Sequence, residues 1–571
     1  EGTLRSWGFS DPSKVKIYGY GGRRLPNLLG NSYLDDLPQT PSEMVAGNGL
    51  YFYAEGPKWW KSTSKGCNAP VSNPFTRQGY YFLSDSDPGE RLTPQPIGDG
   101  AEPREDMMEF KDKVCHEVDM VSPGEAGFLL LGEDFKYTPS QKFPLILPDP
   151  VKGGTVNMEV SFVSLSKSGQ TELSLTVDGQ ALPGPDKIKS TDDKYSHGLE
   201  LVARKEFQLN GDAAVIGIDH RAVSTVVRAN LNYISLTYPR NLRLPSDKWL
   251  YFSLRAGYVC LDGASSSTRV WDVTDPLQVS RMNVSVAGGK AAWTTPYAAV
   301  ERSYAAWEPA GSLPQPAYVE TVRNQNLHAK PVPEMVIVTP SEWRSQADRL
   351  ADFHRGDKVE PIDVLVVTTQ QVYNEFSSGV PDMQGIRKML KMFYDRGNAG
   401  EGKKLRYALL FGRASYDPCL ITSQVQSLGG YPMVPAWFTD RGLNDNDSYT
   451  TDDMFGFLED NSGANMSADK LSIAVGRVPS TSADEAKAAV DKIVSYADRS
   501  PKGGWRNTVL ITSDDQDKGV HIKDSESMYQ KLVASDAEAG GIAFFKKVHI
   551  DEYELIGGTY PEARTNFYRY L

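Results

Sequence analysis

Hydrophobic positions recur with two different periods along the chain, and the change falls near residue 333. Between residues 151 and 238 apolar and polar side chains alternate, as in Val156, Met158, Val160 and Phe162, then Leu173, Leu175 and Val177. A period of two sends alternate side chains to one face of an extended strand, and Asp178-Gly179 supplies the residues of a tight hairpin turn. Residues 111–330 therefore predict an antiparallel β-sandwich region, in one piece or more. Upstream, residues 1–110 are rich in Gly, Pro, Tyr and Trp, with short extended runs at 15–18 and 49–54, which predicts a β-rich N-terminal region. The Gly19-Tyr20-Gly21-Gly22 segment lacks the Lys-Ser/Thr ending of a phosphate loop and reads as a hairpin turn. Five prolines between residues 308 and 333 mark a linker.

Beyond the linker, apolar runs at 335–339, 364–368, 406–411, 471–475, 508–512 and 543–548 alternate with helical patterns. Trp343, Ala347, Leu350 and Ala351 share one helix face, and Ile386, Met389, Leu390, Phe393 and Tyr394 follow the spacing i, i+3, i+4, i+7, i+8. Ser482 with Glu485 forms a capping box before Ala486, Val490, Ile493 and Val494. Further helices are expected near 525–534 and 560–570. Six strands alternating with helices predict, for residues 331–571, an α/β domain with a mostly parallel sheet. Ligands of such sheets gather beyond the carboxyl ends of the strands. Here those ends carry Thr368 and Thr369, residues 412–417, Asp514 and Asp515, and His549 with Asp551.

Composition narrows the class. The chain has 571 residues, enough for about three or four domains. At 40% hydrophobic and 23% charged it is not a disordered sequence. Its 61 Lys and Arg against 73 Asp and Glu leave a net charge of −12, which argues against a nucleic-acid partner. No apolar run reaches the roughly 18 residues that span a bilayer. Glu1 opens the chain without a signal-like apolar region, so a processed protein or a fragment is expected.

Two carboxylates, Asp514 and Asp515, directly follow an apolar strand. One of them could orient a catalytic histidine and stabilise its imidazolium; a helix cap is the competing assignment. Asp445, Asp447, Asp452 and Asp453 could offer oxygen ligands to calcium, but their order does not match an EF-hand and a solvated acidic loop is the preferred assignment. Cys67, Cys115, Cys260 and Cys419 fit no zinc spacing. Cys67 and Cys115 could close a loop, while isolated buried thiols are the simpler expectation. Cys419 follows the third α/β strand, but nothing in its spacing selects His521 or His549 as a base, so it is not read as a nucleophile.

Five segments in order along the chain carry a family resemblance: Val15-Lys-Ile-Tyr-Gly-Tyr-Gly-Gly22, Tyr80-Tyr-Phe-Leu83, Asn324-Gln-Asn-Leu-His328, Tyr449-Thr-Thr-Asp-Asp-Met-Phe-Gly456 and Val475-Gly-Arg-Val-Pro479. Through them the chain resembles the gingipain-family cysteine endopeptidases that serve as sortases of the type IX secretion system in Bacteroidetes. The resemblance implies a caspase-like α/β fold after about residue 330. It implies an exported protein at the cell surface, associated with the outer membrane through a PorV-like β-barrel, that removes the C-terminal signals of cargo proteins and attaches them to anionic lipopolysaccharide. No cofactor is implied as required. Family catalysis uses a Gly-His-Gly histidine and a later cysteine. None of His116, His197, His220, His328, His354, His521 and His549 has glycine on both sides. The dyad is therefore expected beyond Leu571, and these 571 residues alone are expected to be inactive. Asp515 matches the family's histidine-supporting acid by position, with Asp514 the fallback. The arginine-pocket acid would fall near His521 or Ile522, so cleavage after arginine is not expected. The alternative is a non-catalytic cell-surface scaffold or binding protein that keeps the fold.

Overall fold

The computed structural model describes the chain except residues 31–34, 88, 98–105, 225–226, 256, 296–300, 428–429, 431, 498–502 and 515. It divides into two compact units, Glu1–Lys492 and Ile493–Leu571.

In the larger unit the period-two region builds a sandwich. Strands Glu109–Glu117, Arg228–Asn241, Thr155–Leu165 and Leu199–Gln208 form one antiparallel sheet. The other contains Ser140–Ile146, Ala213–Arg221 and Thr171–Val177. Val156, Met158, Val160 and Phe162 share one core with Leu173, Leu175, Ile216 and Ile218, as their alternation predicts. Asp178 and Gly179 both take positive φ, 51° and 83°, in the two-residue turn before Gln180–Ala181.

A second core, around Phe252, Trp293 and Tyr304, belongs to strands between residues 249 and 307. Two short strands from upstream, Gln95–Ile97 and Asp106–Met107, join its sheets in parallel. The Gly19–Gly22 segment is not a hairpin turn. Lys16–Gly21 is a strand between Gln39–Thr40 and Tyr80–Ser84, with a register shift between Tyr18 and Gly21. Its glycines serve close approach: a Cβ on Gly19 (φ +132°) would meet Ser378 Oγ, and one on Gly21 (φ +73°) would lie 2.5 Å from Glu55 O.

After the linker the chain alternates strand and helix. Strand β1 (Met335–Thr339) precedes helix α1 (Arg344–Arg355), β2 (Val364–Thr368), α2 (Thr369–Phe376), α3 (Met383–Asn398), β3 (Tyr407–Phe411), β4 (Ala474–Val478) and α4 (Ala483–Ala497). The four strands form a wholly parallel sheet in the order β2-β1-β3-β4. The apolar run at 471–475 places the fourth strand three residues too early. Leu471 is 52% exposed, whereas Ala474 pairs with Tyr407 and starts the strand. The strand itself carries Gly476 and Arg477, so hydrophobicity does not mark it. The expected capping box of α4 is present in modified form: Ser482 Oγ accepts from Glu485 N at 3.2 Å, while Glu485 reaches back to Thr481 N at 2.7 Å. Thr368 and Gln371 form a full capping box on α2, a helix the periodicity does not reveal.

Helix α3 is enclosed on its polar face as well as its apolar one. Arg387 donates to the carbonyls of Phe457 (3.1 Å from Nε, 2.6 Å from Nη2), Ser462 (3.2 Å) and Asn27. Lys391 pairs with Asp395 and Asp460 at 2.7 and 2.8 Å. Lys388 donates to Tyr20 Oη and the Phe376 carbonyl. Buried cations of this kind persist only when every donor has a partner.

The smaller unit contains β5 (Thr508–Ser513), α5 (Val520–Glu538), β6 (Phe544–His549) and α6 (Pro561–Tyr570). β5 and β6 pair in parallel, from Thr508↔Phe544 to Ser513↔His549.

Candidate active site

At the carboxyl edge of the four-stranded sheet two of the resemblance segments meet, residues 449–456 and 475–479. Arg477 on β4 grips Asp452 with two hydrogen bonds of 2.7 and 2.8 Å. The same guanidinium donates to the carbonyls of Gly412 (2.6 Å), Val434 (2.8 Å) and Pro435 (3.0 Å). A planar fork with five donors can tie a strand to two loops in this way; an ammonium cannot. The arginine of Val475-Gly-Arg-Val-Pro479 is thus a loop anchor.

Asp452 is consequently committed to an ion pair, and its neighbours are dispersed too. Asp445 lies 2.6 Å from His197 and Asp447 2.9 Å from Arg441, while Asp453 opens a 3-10 turn. Among the described residues no group of three or more His, Cys, Asp or Glu side chains is placed to hold a metal ion. The four aspartates do not fit a calcium cage, which needs several oxygens converging on one point.

Thr368 is occupied as the cap of α2. In the loop after β3, Asp417 accepts from Thr422 N at 2.6 Å, a loop-closing contact. Cys419 donates to the Pro74 carbonyl at 3.3 Å, and burial pushes its thiol up to about 11. A nucleophilic cysteine needs the opposite shift. All four cysteines are free, and burial raises Cys67, Cys115 and Cys260 as well.

The specific segment Asn324-Gln-Asn-Leu-His328 docks on α2. Glu375 accepts from Gln325 Nε2 (2.8 Å), Leu327 N (2.7 Å) and His328 Nδ1 (2.8 Å). His328 stacks on Phe376 with centroids 4.6 Å apart. Hydrogen bonding to Asp35 and then Glu375 raises its imidazole to about 10, so it is a cation at neutral pH. This histidine is a clamp rather than a general base.

The smaller unit holds an open cleft of about 400 Å³ beside the carboxyl end of β5. Ser513, Asp514, His521, Asp524, Ser525 and Met528 line it. Asp514 is exposed and caps nothing: the helical turns that follow begin after Gln516 and Gly519. Asp515 lies outside the described residues. His521 is exposed, 3.1 Å from Asp517, and Asp551 is exposed in a short turn after β6. At the end of β6, His549 is buried. Its Nδ1 lies 2.6 Å from Ser513 Oγ and its Nε2 2.9 Å from Glu526 Oε1 on α5. Lys547 Nζ shares that carboxylate oxygen at 2.7 Å. Sequence reasoning placed His549 at a strand end but joined it to neither partner. The missing signal is the combination of a polar last residue on each of two successive strands with an acid in the intervening helix.

Parallel strands joined by helices, with polar side chains at their carboxyl ends, define an α/β architecture in each unit. Residues 328–571 match the profile of Peptidase family C25, the gingipain family, so the chain carries a domain of the cysteine peptidase class. Over most of its length the chain is similar to the crystal structure of dimeric latent PorU from Porphyromonas gingivalis. The identity is 27% over 92% of this chain and 52% of that one, with a TM-score of 0.79. The chain therefore spans about half the length of that protein. A family 35 carbohydrate binding module from Clostridium thermocellum also matches, at 13% identity over 22% of this chain and 90% of its own, but its TM-score of 0.15 carries no argument. No curated protein matches the chain.

Proposed function

We propose that the chain is part of a PorU-like sortase, a cysteine endopeptidase and transpeptidase of the type IX secretion system. One observation carries this reading: the likeness to PorU extends over 92% of the chain, through the β-rich region as well as the peptidase domain. In the proposed reaction a cysteine thiolate attacks the peptide carbonyl before a cargo protein's C-terminal signal. The signal leaves with a proton from the catalytic histidine, and the acyl-enzyme passes to an acceptor on anionic lipopolysaccharide. The cysteine and histidine are assigned to a part of the protein outside these 571 residues.

Asp515 is assigned as the acid that orients that histidine, with Asp514 as its fallback. The assignment rests on its position in the sequence, two residues after the end of an apolar strand. The protein acts at the cell surface, held to the outer membrane by a PorV-like β-barrel. Among the described residues no helix is long and apolar enough to cross a membrane. No cofactor takes part in the proposed reaction.

The test uses the full-length protein with a cargo substrate carrying its C-terminal signal. Wild type should remove the signal, and Asp515→Asn should do so more slowly at unchanged melting temperature. Normal cleavage by Asp515→Asn and a slow Asp514→Asn would move the role to Asp514. Absence of signal removal by the wild-type protein, with its PorV-like partner supplied, would overturn the reading.

A further inference from the structure

We propose that Glu526 and His549 are positioning residues: through the Ser513 hydroxyl they fix the strand end from which the Asp514 turn enters the cleft. This rests on the reading above that the cleft belongs to a peptidase site. Three elements converge here. Ser513 is the last residue of β5, His549 the last of β6, and Glu526 lies in the second turn of α5. The hydrogen-bond chain Ser513 Oγ–His549–Glu526 spans all three with links of 2.6 and 2.9 Å. His549 is 2% exposed, so water does not compete for its ring nitrogens.

The chain has a direction. An ionised carboxylate only accepts, so Nε2 of a neutral His549 carries the hydrogen and donates to Glu526. Nδ1 is then an acceptor, and Ser513 Oγ–H donates to it. The hydroxyl rotor is thereby locked. Lys547, 2.7 Å from the same Glu526 oxygen and 4.6 Å above the Tyr529 ring, keeps the carboxylate ionised and in place.

Apolar packing supplies only part of this rigidity, chiefly through Tyr529 against Phe545. No residue of α5 is buried, and β5 and β6 form a sheet of two strands. The connection from Ser513 to α5 also runs through two successive non-glycine residues with left-handed φ, Asp517 at 53° and Lys518 at 61°. Such a turn holds its shape only when both ends are fixed. The Ser513–His549–Glu526 link fixes them. Asp514, the next residue and the fallback for the histidine-orienting acid, lines the cleft, and Asp515 follows it in the sequence. An acid displaced by about 1 Å from its working position loses on the order of 10²-fold in rate.

The experiment has two arms. In the full-length protein, Glu526→Gln and Ser513→Ala should lower kcat for signal removal by about ten- to a hundredfold at unchanged KM and melting temperature, and Glu526→Asp should recover part of the loss. In the 571-residue chain with ¹⁵N-labelled histidine, His549 should be an Nε2–H tautomer with Nδ1 unprotonated, and Glu526→Gln should abolish that preference. Unchanged kcat in Glu526→Gln, or a loss equal to the accompanying loss of folded protein, overturns the proposal. So does a His549 tautomer indifferent to Glu526. Should the wild-type protein remove no signal, the functional reading fails by itself, and the tautomer measurement still decides whether the link exists.

Discussion

Helices α3 and α5 each lie between two parallel strands in the chain, yet their surroundings are opposite. Twelve of the sixteen residues of α3 are buried, including Arg387, Lys388 and Lys391. None of the nineteen residues of α5 is buried. The first helix is covered on its polar side by chain from residues 20–29 and 455–462, which satisfies its cations with backbone carbonyls and acids. The second keeps its polar groups in contact with water and borders a cleft. Enclosure makes α3 part of the scaffold that loops such as 452–456 depend on. Exposure leaves α5 free to carry side chains that act.

The sharpest way to break this contrast is Arg387→Ala. It strands the carbonyls of Phe457, Ser462 and Asn27 and leaves a void, so a loss of about 4 kcal/mol is expected in urea denaturation of the chain. Arg387→Lys should recover only a part, because one ammonium cannot reach all three. A loss below about 1 kcal/mol would mean that the wrapping chain contributes little. Next in size is Arg477→Lys, which keeps the charge but loses the two-point grip on Asp452; about 2 kcal/mol should go. Asp452→Asn should cost a similar amount. A double variant no worse than either single one would confirm that the two act as one unit.

Much of this architecture can be read from local pattern. The alternation of Val156 to Phe162, the Asp178-Gly179 turn and the strand–helix alternation after residue 333 all depend on neighbours within a few residues, and they form as expected. Strand β4 was misplaced because hydrophobicity marks Leu471 and Ile473, whereas pairing is set by β3. The polar face of α3 looks like a solvated surface in sequence, since the segments that cover it lie hundreds of residues away. The same limit applies to the cleft. Asp514 stands out because it follows an apolar run, but the link from Ser513 through His549 to Glu526 needs three elements brought together.

The cations His328 beside α2 and Lys388 on α3 also predict a pH dependence with a defined window. His328 titrates near 10 in the folded protein, above the ordinary histidine value of about 6.5. Its contribution is complete below pH 6.5 and is lost as pH rises through 10. Lys388 behaves oppositely: burial lowers it to about 8, so stability is regained between 8 and its ordinary value near 10.4. The two slopes cancel between pH 8 and 10. Stability should therefore fall by about 1 kcal/mol per unit between pH 6.5 and 8, short of the ~1.4 limit because Asp35 is half exposed, and then level off. Glu375→Gln should flatten the first segment. A decline that continues unchanged to pH 10 would contradict the assignment of Lys388.

The smallest effect is expected on the exposed surface of α5, including the side that borders the cleft, and it sharpens the comparison most directly. Met528 and Leu532 are 51% and 38% exposed, one turn apart, while Tyr529 between them is half-buried against Phe545. Replacing either Met528 or Leu532 by Ser removes little buried apolar surface, so stability should stay within about 0.5 kcal/mol. The matching change on α3, Met389→Ser, puts a hydroxyl and a void into a fully buried position and should cost about 3 kcal/mol or more. Measured side by side in the same chain, the pair separates an enclosed helix from an open one. If Leu532→Ser lowered stability by more than about 1 kcal/mol, its side chain would have to be packed against something, and α5 could not be the exposed wall of a cleft.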